Sequence, residues 1–279
     1  MIIMKGNEVK EEILNELKEK VESLNLIPGL AVVQVGEDIP SNVYIKQKEK
    51  MAAELGYKFK HVKLSDSVSE EKIIDTIEKL NADDSIDGVL IQLPLPNQFN
   101  TERIQNKVDK TKDVDGLTDI NAGKLTHNKK CLIPCTPLGI VELLSRHDIT
   151  ITGKNVVIVG RSNLVGKPLA ALLTNMDATV TLCHSKTKNI NEITRMADII
   201  VVAIGKKDFL KADMISDNAV VIDVGINRFE NKLYGDVDFD EVSKKCSYIT
   251  PVPLGVGPMT VAMLAKNVYT AHLQRRNNN

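Results

Sequence analysis

The chain has 279 residues, which at about 100–200 residues per domain fits one large or two modest domains. Hydrophobic residues make up 43% and charged residues 26%, ordinary globular usage that excludes a disordered or collagen-like chain. A formal net charge of −1, no tryptophan and 4% aromatic residues leave neither a global basic field for nucleic acid nor the rings of a base-stacking platform.

In chain order, Val9–Leu24 has helical apolar spacing, and Gly29–Val35 is an apolar strand. Tyr44–Leu55 fits a helix that Gly56 ends as its C′ residue. Tyr57–Leu64 alternates like a strand, Glu70–Leu80 is helical, and Gly88–Gln92 is a buried strand that stops at Pro94. Thr111 to Pro137 is rich in Gly, Pro, Asp, Asn and Thr and lacks a long periodic segment. It reads as the connection between two α/β units. The second series begins at Asn155, with strand Val156–Gly160, a helix from Gly166, strand Ala178–Leu182 and a helix near Asn191. Strands Ala197–Gly205 and Ala219–Gly225 follow, then a last helix, Thr260–Leu273, expected to fold back onto the first unit. Strands rich in Val and Ile without strict alternation indicate parallel sheets covered on both faces. The fold class is α/β, two domains flanking a cleft, the second a Rossmann-like parallel sheet.

Cys131, Cys135, Cys183 and Cys246 form neither a CxxC pair nor a dense disulfide pattern, which favours a reducing compartment. No histidines stand at zinc-ligand spacing from them, so no metal is expected. The start, MIIMKGNEVKEE, turns charged before a signal-peptide core can develop. The longest apolar run, around Ile199–Ile204, is strand-sized and too short to span a bilayer. A cytoplasmic protein without membrane attachment is expected.

Strand Val156–Val159 runs into Gly160-Arg161-Ser162-Asn163-Leu164-Val165-Gly166. A strand, a glycine turn and a helix N-terminus together make an anion site, because free N–H groups and the helix dipole point at a phosphate. The spacing is GxSxxxG, so the motif alone is a weak dinucleotide match, and a turn with glycines for packing only stands beside it. In an NAD site an acid ends the second strand and holds the ribose 2′-hydroxyl. Here that strand ends in Cys183-His184-Ser185-Lys186-Thr187-Lys188, with no acid. Hydroxyls and cations there, with Arg161 in the turn, favour a 2′-phosphate and hence NADP.

Tyr44 and Lys48, four apart on a helix, share a face and can reach one ligand, although such pairs are also ordinary surface neighbours. Gln92 stands at the carboxyl end of a buried strand, outside which parallel sheets bind ligands. Lys112-Asp113-Val114-Asp115-Gly116 adds candidate carboxylates.

Tyr44-xxx-Lys48, DGVLIQLPLP, KDVDGLT, IPCTP, GRSNLVGKP, TLCHSKT, VIDVGIN and PVPLGVGPMT occur in this order. Over roughly residues 10–270 the chain resembles the bifunctional methylenetetrahydrofolate dehydrogenase/methenyltetrahydrofolate cyclohydrolase family. The resemblance implies a folate-binding catalytic domain over 1–118 plus 260–279, an NADP-binding Rossmann-like domain over 119–259, tetrahydrofolate substrates and a homodimer. It makes Lys48 the principal cyclohydrolase residue, with Tyr44 stacking on the folate, Gln92 hydrogen-bonding near Lys48, and Asp115 holding the pterin. Pro253 and Gly257 of the last loop would also touch substrate. Gly160, Arg161 and Ser162 would touch NADP, with Ser185 near its 2′-phosphate and Ile226 beside the nicotinamide. Leu254 departs from the family pattern, which commonly has glycine there. Two other classes remain: a different NADP-dependent oxidoreductase, with no reason for Tyr44, Lys48 and Gln92 together, and a catalytically silent nucleotide-binding subunit, expected to lack the lysine or the glutamine.

Overall fold

Val- and Ile-rich segments form the strands of two parallel sheets, and amphipathic segments between them supply the crossover helices. A computed structural model of the chain describes residues 1–230 and 232–276. In chain order the elements are β1 (Ile2–Ile3), α1 (Gly6–Ser23), β2 (Gly29–Val35), α2 (Ile39–Glu54), β3 (Lys58–Leu64), α3 (Glu70–Ala82) and β4 (Gly88–Ile91). The middle of the chain holds α4 (Thr101–Gln105), α5 (Asp119–Thr126) and α6 (Cys135–Arg146). Then come β5 (Asn155–Val159), α7 (Gly166–Thr174), β6 (Thr179–Cys183), α8 (Ile190–Arg195), β7 (Ile199–Val202) and β8 (Val220–Asp223). A hairpin of β9 (Asn227–Phe229) and β10 (Lys232–Tyr234), α9 (Phe239–Val242), β11 (Tyr248–Ile249) and α10 (Val256–Arg276) complete it.

The chain divides into two compact units. The first comprises Glu12–Cys135 and the residues from Val261 onward, the second Met1–Glu11 and Thr136–Thr260. In the first, strands β3-β2-β4 lie in that order, all parallel. Ala31, Val33, Val35, Val89 and Ile91 on one face pack against Ile73, Ile77 and Leu80 of α3. The second unit has a six-stranded sheet of order β1-β11-β8-β7-β5-β6, again parallel throughout.

These boundaries differ from the division at 118/119 that the sequence suggests, for two reasons. Ile2 and Ile3 pair with Tyr248 and Ile249 at the edge of the second sheet, so the amino terminus belongs to the second unit. Asn267 of α10 donates through Nδ2 to the carbonyls of Val114 (2.8 Å) and Ile133 (2.9 Å), which holds the chain up to Cys135 in the first unit. The same helix is tied to that unit by His272 Nδ1, 2.8 Å from Asp87 Oδ2, and by the Tyr57 hydroxyl, which donates to Ala265 O at 3.2 Å.

Several helix boundaries need correction, and α1, the first of them, begins at Gly6 rather than Val9. α2 begins at Ile39 rather than Tyr44, because Asp38 caps it by accepting from Ser41 N at 2.9 Å and Pro40 fits the first turn. The supposed connection between Thr111 and Pro137 contains α5, capped by Thr118, and the start of α6. α10 begins at Val256 rather than Thr260 and runs on to Arg276.

Leu254, just before α10, has φ +78° and is about half exposed. A leucine with this left-handed backbone is strained, since its Cβ crowds the following carbonyl oxygen. Leu254→Gly therefore removes strain and little buried surface. It should stabilise the protein by about 0.5–1 kcal/mol after the greater freedom of unfolded glycine is subtracted. Urea unfolding checks this: a lower midpoint for the glycine variant would contradict it.

Candidate active site

The strand order reverses at β2 in the first unit and at β5 in the second. At such a reversal the crossovers leave on opposite faces, and a crevice opens outside the carboxyl ends of the two central strands. Gln92 follows β4 at the first crevice, and Gly160 follows β5 at the second.

In the first unit, Lys48 Nζ on α2 donates to Gln92 Oε1 at 2.7 Å. Gln92 is buried, and its own Nε2 donates to Leu93 O at 2.7 Å, which orients the amide with its oxygen toward the lysine. Burial pulls the Lys48 ammonium below its usual range, while the charge of Asp115 acts in the opposite direction. Asp115 is itself pushed up to about 6, mainly by burial, with the Asp113 carboxylate adding to the rise and Lys48 opposing it. Tyr44 lies one helical turn before Lys48 and is about half exposed, its ring open to a ligand or to solvent.

The two carboxylates of the acidic turn have separate fates. Asp113 is buried and accepts from Thr118 N (2.9 Å), Thr118 Oγ1 (2.8 Å) and Asn121 Nδ2 (2.8 Å), which fixes the start of α5. Asp115 has no comparable set of backbone donors. Gly116 after it has φ +68°, and a Cβ there would strike the Ile133–Pro134 backbone. Cys135, read in the sequence as an unpaired thiol and as part of a motif, lies buried beside Asp115, which hydrogen-bonds its thiol, and burial pushes that thiol well up. The sequence carried no helix signal there, since Cys135, the first residue of α6, falls in the stretch that reads as a connection. Lys112 is fully buried and donates to the carbonyls of Leu80 (3.0 Å) and Asp83 (2.8 Å), closing the end of α3.

In the second unit, Gly160 has φ +124°, and a Cβ on it would overlap the Ala203 carbonyl oxygen. A Cβ on Gly166 would likewise overlap Gly160 O. Packing thus accounts for both glycines, and what remains for a ligand is the turn between them. There Arg161 and Ser162 are exposed, and the start of α7 has no side-chain cap. The turn after β6 lies alongside, with Gly160 N donating to Cys183 O at 2.9 Å. It is closed by Thr187 Oγ1, which accepts from His184 N at 2.9 Å, and it leaves Ser185 exposed. Ile226 is exposed beyond β8, and its Cδ1 lies 4.0 Å from where a Gly257 side chain would begin. Pro253 is exposed in the loop before α10. Gly160, Arg161, Ser162 and Ser185 therefore border one crevice, while Ile226 and Gly257 adjoin each other.

Fold and geometry together define a class: a two-unit α/β enzyme with a dinucleotide-type crevice in one unit and a desolvated lysine beside an amide and a carboxyl in the other. Residues 134–276 match the NAD(P)-binding domain of tetrahydrofolate dehydrogenase/cyclohydrolase, and residues 4–115 match its catalytic domain. The chain is 50% identical over 284 residues to the bifunctional protein FolD of Campylobacter fetus subsp. fetus, covering 100% of both chains. The crystal structure of bifunctional FolD from Campylobacter jejuni superposes with a TM-score of 0.96 at 44% identity, over 99% of each chain. The Trypanosoma brucei enzyme, crystallised with NADP cofactor and inhibitor, gives 0.93 at 36% identity, over 99% of this chain and 98% of that one. The chain belongs to the tetrahydrofolate dehydrogenase/cyclohydrolase family.

Asp115 carries a pH signature. A carboxyl with a folded-state pKa near 6 holds its proton more tightly folded than unfolded. Its contribution to stability is complete below about pH 4 and is lost as pH rises through 6. Asp115→Asn removes this loss. Its stability relative to wild type should climb between pH 4 and 7.5, by on the order of 2 kcal/mol. Urea unfolding at both pH values measures it, and a pH-independent difference would contradict the assignment.

Proposed function

We propose that this chain oxidises 5,10-methylenetetrahydrofolate to 5,10-methenyltetrahydrofolate with NADP and hydrolyses the product to 10-formyltetrahydrofolate. The observation that carries the residue assignments is the hydrogen bond from Lys48 Nζ to Gln92 Oε1 at a desolvated position. In this reading the first unit is the folate-binding catalytic domain and the second the NADP-binding domain. Substrate contacts come from Tyr44, Asp115, Pro253 and Gly257.

The second unit fits a dinucleotide, since the turn between Gly160 and α7 leaves Arg161 and Ser162 exposed, a cation and a hydroxyl that can meet phosphate. Gly160, Arg161 and Ser162 would touch NADP, with Arg161 and Ser185 at its 2′-phosphate and Ile226 beside its nicotinamide. When bound, NADP supplies the hydride acceptor. The methenyl product is a cation stabilised by two flanking nitrogens, so no protein base is needed at the reacting carbon. The chain's task in this half of the reaction is to position the substrate.

Hydrolysis does need a base. Water attacks the methenyl carbon, its proton passes to the neutral amine of Lys48, and the carbon–nitrogen bond that breaks leaves a ring nitrogen that takes up a proton. A free lysine titrates near ~10.4 and is a poor base at neutral pH. Burial brings Lys48 down, and a cationic substrate pushes it further. Gln92 orients the amine without adding a negative charge, and an arginine there would stay protonated. Asp115, by this reading, holds the amino-pyrimidine end of the pterin.

The chain's four free cysteines, three of them buried, are in keeping with a reducing, cytoplasmic setting. The net charge of −1 argues against nucleic acid as a partner. No helix among the described residues is long and apolar enough to cross a membrane. A homodimer is the assembly we propose from the family resemblance.

Two measurements test these assignments. Lys48→Met keeps the apolar stem and removes the amine. At saturating folate, cyclohydrolase kcat should fall by roughly 10²–10⁴ while dehydrogenase kcat survives. Equal falls would make Lys48 a shared binding residue. Arg161→Ala should weaken NADP more than NAD, by roughly tenfold in the ratio of kcat/KM values, the scale of one lost charged hydrogen bond. Equal use of both cofactors by the wild type would overturn the NADP assignment.

A further inference from the structure

Two carboxylates buried in the second unit, Asp223 and Asp236, have no role in the account above. Asp236 is fully buried. Its Oδ2 accepts from Ile204 N (2.7 Å) and Gly205 N (3.0 Å), and its Oδ1 from Lys206 N (2.7 Å) and Asn227 Nδ2 (2.9 Å). Three successive backbone N–H groups thus converge on one carboxylate, the arrangement by which backbone grips an anion. Here the anion belongs to the protein, and it immobilises the segment that follows β7.

That segment borders the crevice. Ala203 is the residue whose carbonyl lies against Gly160, and Ile204 is the next residue a Gly160 side chain would meet, through Cγ2. Asp236 also fixes the segment after β8. A Cβ on Gly225 would strike its carboxyl group, and Ile226 is the next residue. Asp223 completes a reciprocal brace, accepting from Gly225 N (3.0 Å), Asp236 N (2.9 Å) and Val237 N (2.9 Å). A Cβ on Gly235 would in turn strike Asp223.

We propose that Asp236 is a positioning residue for the oxidation reaction, setting the loops after β7 and β8 against which the dinucleotide binds. The proposal rests on the reading that NADP occupies the crevice beside Gly160. A neutral side chain cannot replace the carboxylate, because charge-assisted hydrogen bonds are about twice as strong as neutral ones and an amide would turn N–H groups toward N–H groups. Hydrolysis of the methenyl compound uses Lys48 and Gln92 of the first unit and needs no dinucleotide, so it serves as an internal control.

The test is Asp236→Asn in the full chain, assayed for NADP reduction and, without NADP, for hydrolysis of methenyltetrahydrofolate. KM for NADP should rise roughly tenfold or more, the effect of losing one charged hydrogen bond, while hydrolysis stays within about twofold of wild type. An unchanged KM would overturn the proposal. So would a parallel fall of both activities with the urea midpoint, which would mark a merely structural carboxylate. If Asp236→Asn does not fold, Asn227→Ala removes one donor from the half-buried edge of the cluster. It should raise KM for NADP by roughly threefold with hydrolysis unchanged, and no rise would again overturn the proposal. A wild-type protein that hydrolyses the substrate but never reduces NADP would instead sink the underlying reading.

Discussion

All strands of a parallel sheet end on the same edge, and the structure depends on what happens where the order of those strands reverses. Crossovers between parallel strands are right-handed. When the chain steps to one side of a strand and then back across to the other, consecutive helices must therefore cover opposite faces. The edge between them is left uncovered. In the first unit the step runs from β2 to β3 and back to β4, and in the second from β5 to β6 and back to β7. Gln92 and the Gly160 turn follow strands at those two edges, so the same geometric rule places both candidate sites.

The first of these sites is poised by opposing electrostatic pushes. Burial disfavours charge on both Lys48 and Asp115, while their mutual attraction favours it. For each group burial prevails, so the lysine gives up its proton more readily and the carboxyl holds its own more tightly. An uncharged amide as the lysine's direct partner preserves that outcome. A carboxylate in place of Gln92 would add attraction at hydrogen-bond distance and raise the lysine again.

Legibility in the sequence followed the strength of the local pattern. Gly29–Val35, Gly88–Gln92 and the Val/Ile-rich strands of the second unit were readable because strands buried on both faces must be continuously apolar. Tyr44, Lys48 and Gln92 were readable for a related reason, since helix spacing and a strand end fix where each side chain points. β1 was not, because two residues carry no period. α5 was hidden by a composition rich in turn formers, and only Thr118 as its cap signalled it. The roles of Asp113 and Asp115, two residues apart, depend on Thr118 and Asn121 turning back onto one of them, a tertiary fact that spacing cannot hold. Asp236 was invisible for the same reason, because the three backbone N–H groups that grip its carboxylate lie 30 or more residues away.

The amino-terminal strand has a consequence for how the chain matures on the ribosome. The second unit needs Met1–Glu11 and everything from Thr136 to Thr260, while the first needs Glu12–Cys135 and the residues from Val261 onward. Domains usually fold in order as they emerge, the earlier one first. Here neither is complete before the other is nearly so, because one unit needs residues as far as Thr260 and the other needs those from Val261 onward. β1 waits for β11, which follows it by some 245 residues, and the Asp87 carboxyl waits for His272. A nascent chain therefore carries an unfinished sheet edge until β11 has emerged, and an unfinished first unit until α10 has followed it. A gene cut between Cys135 and Thr136 would yield two fragments that each lack a piece of their own sheet or core.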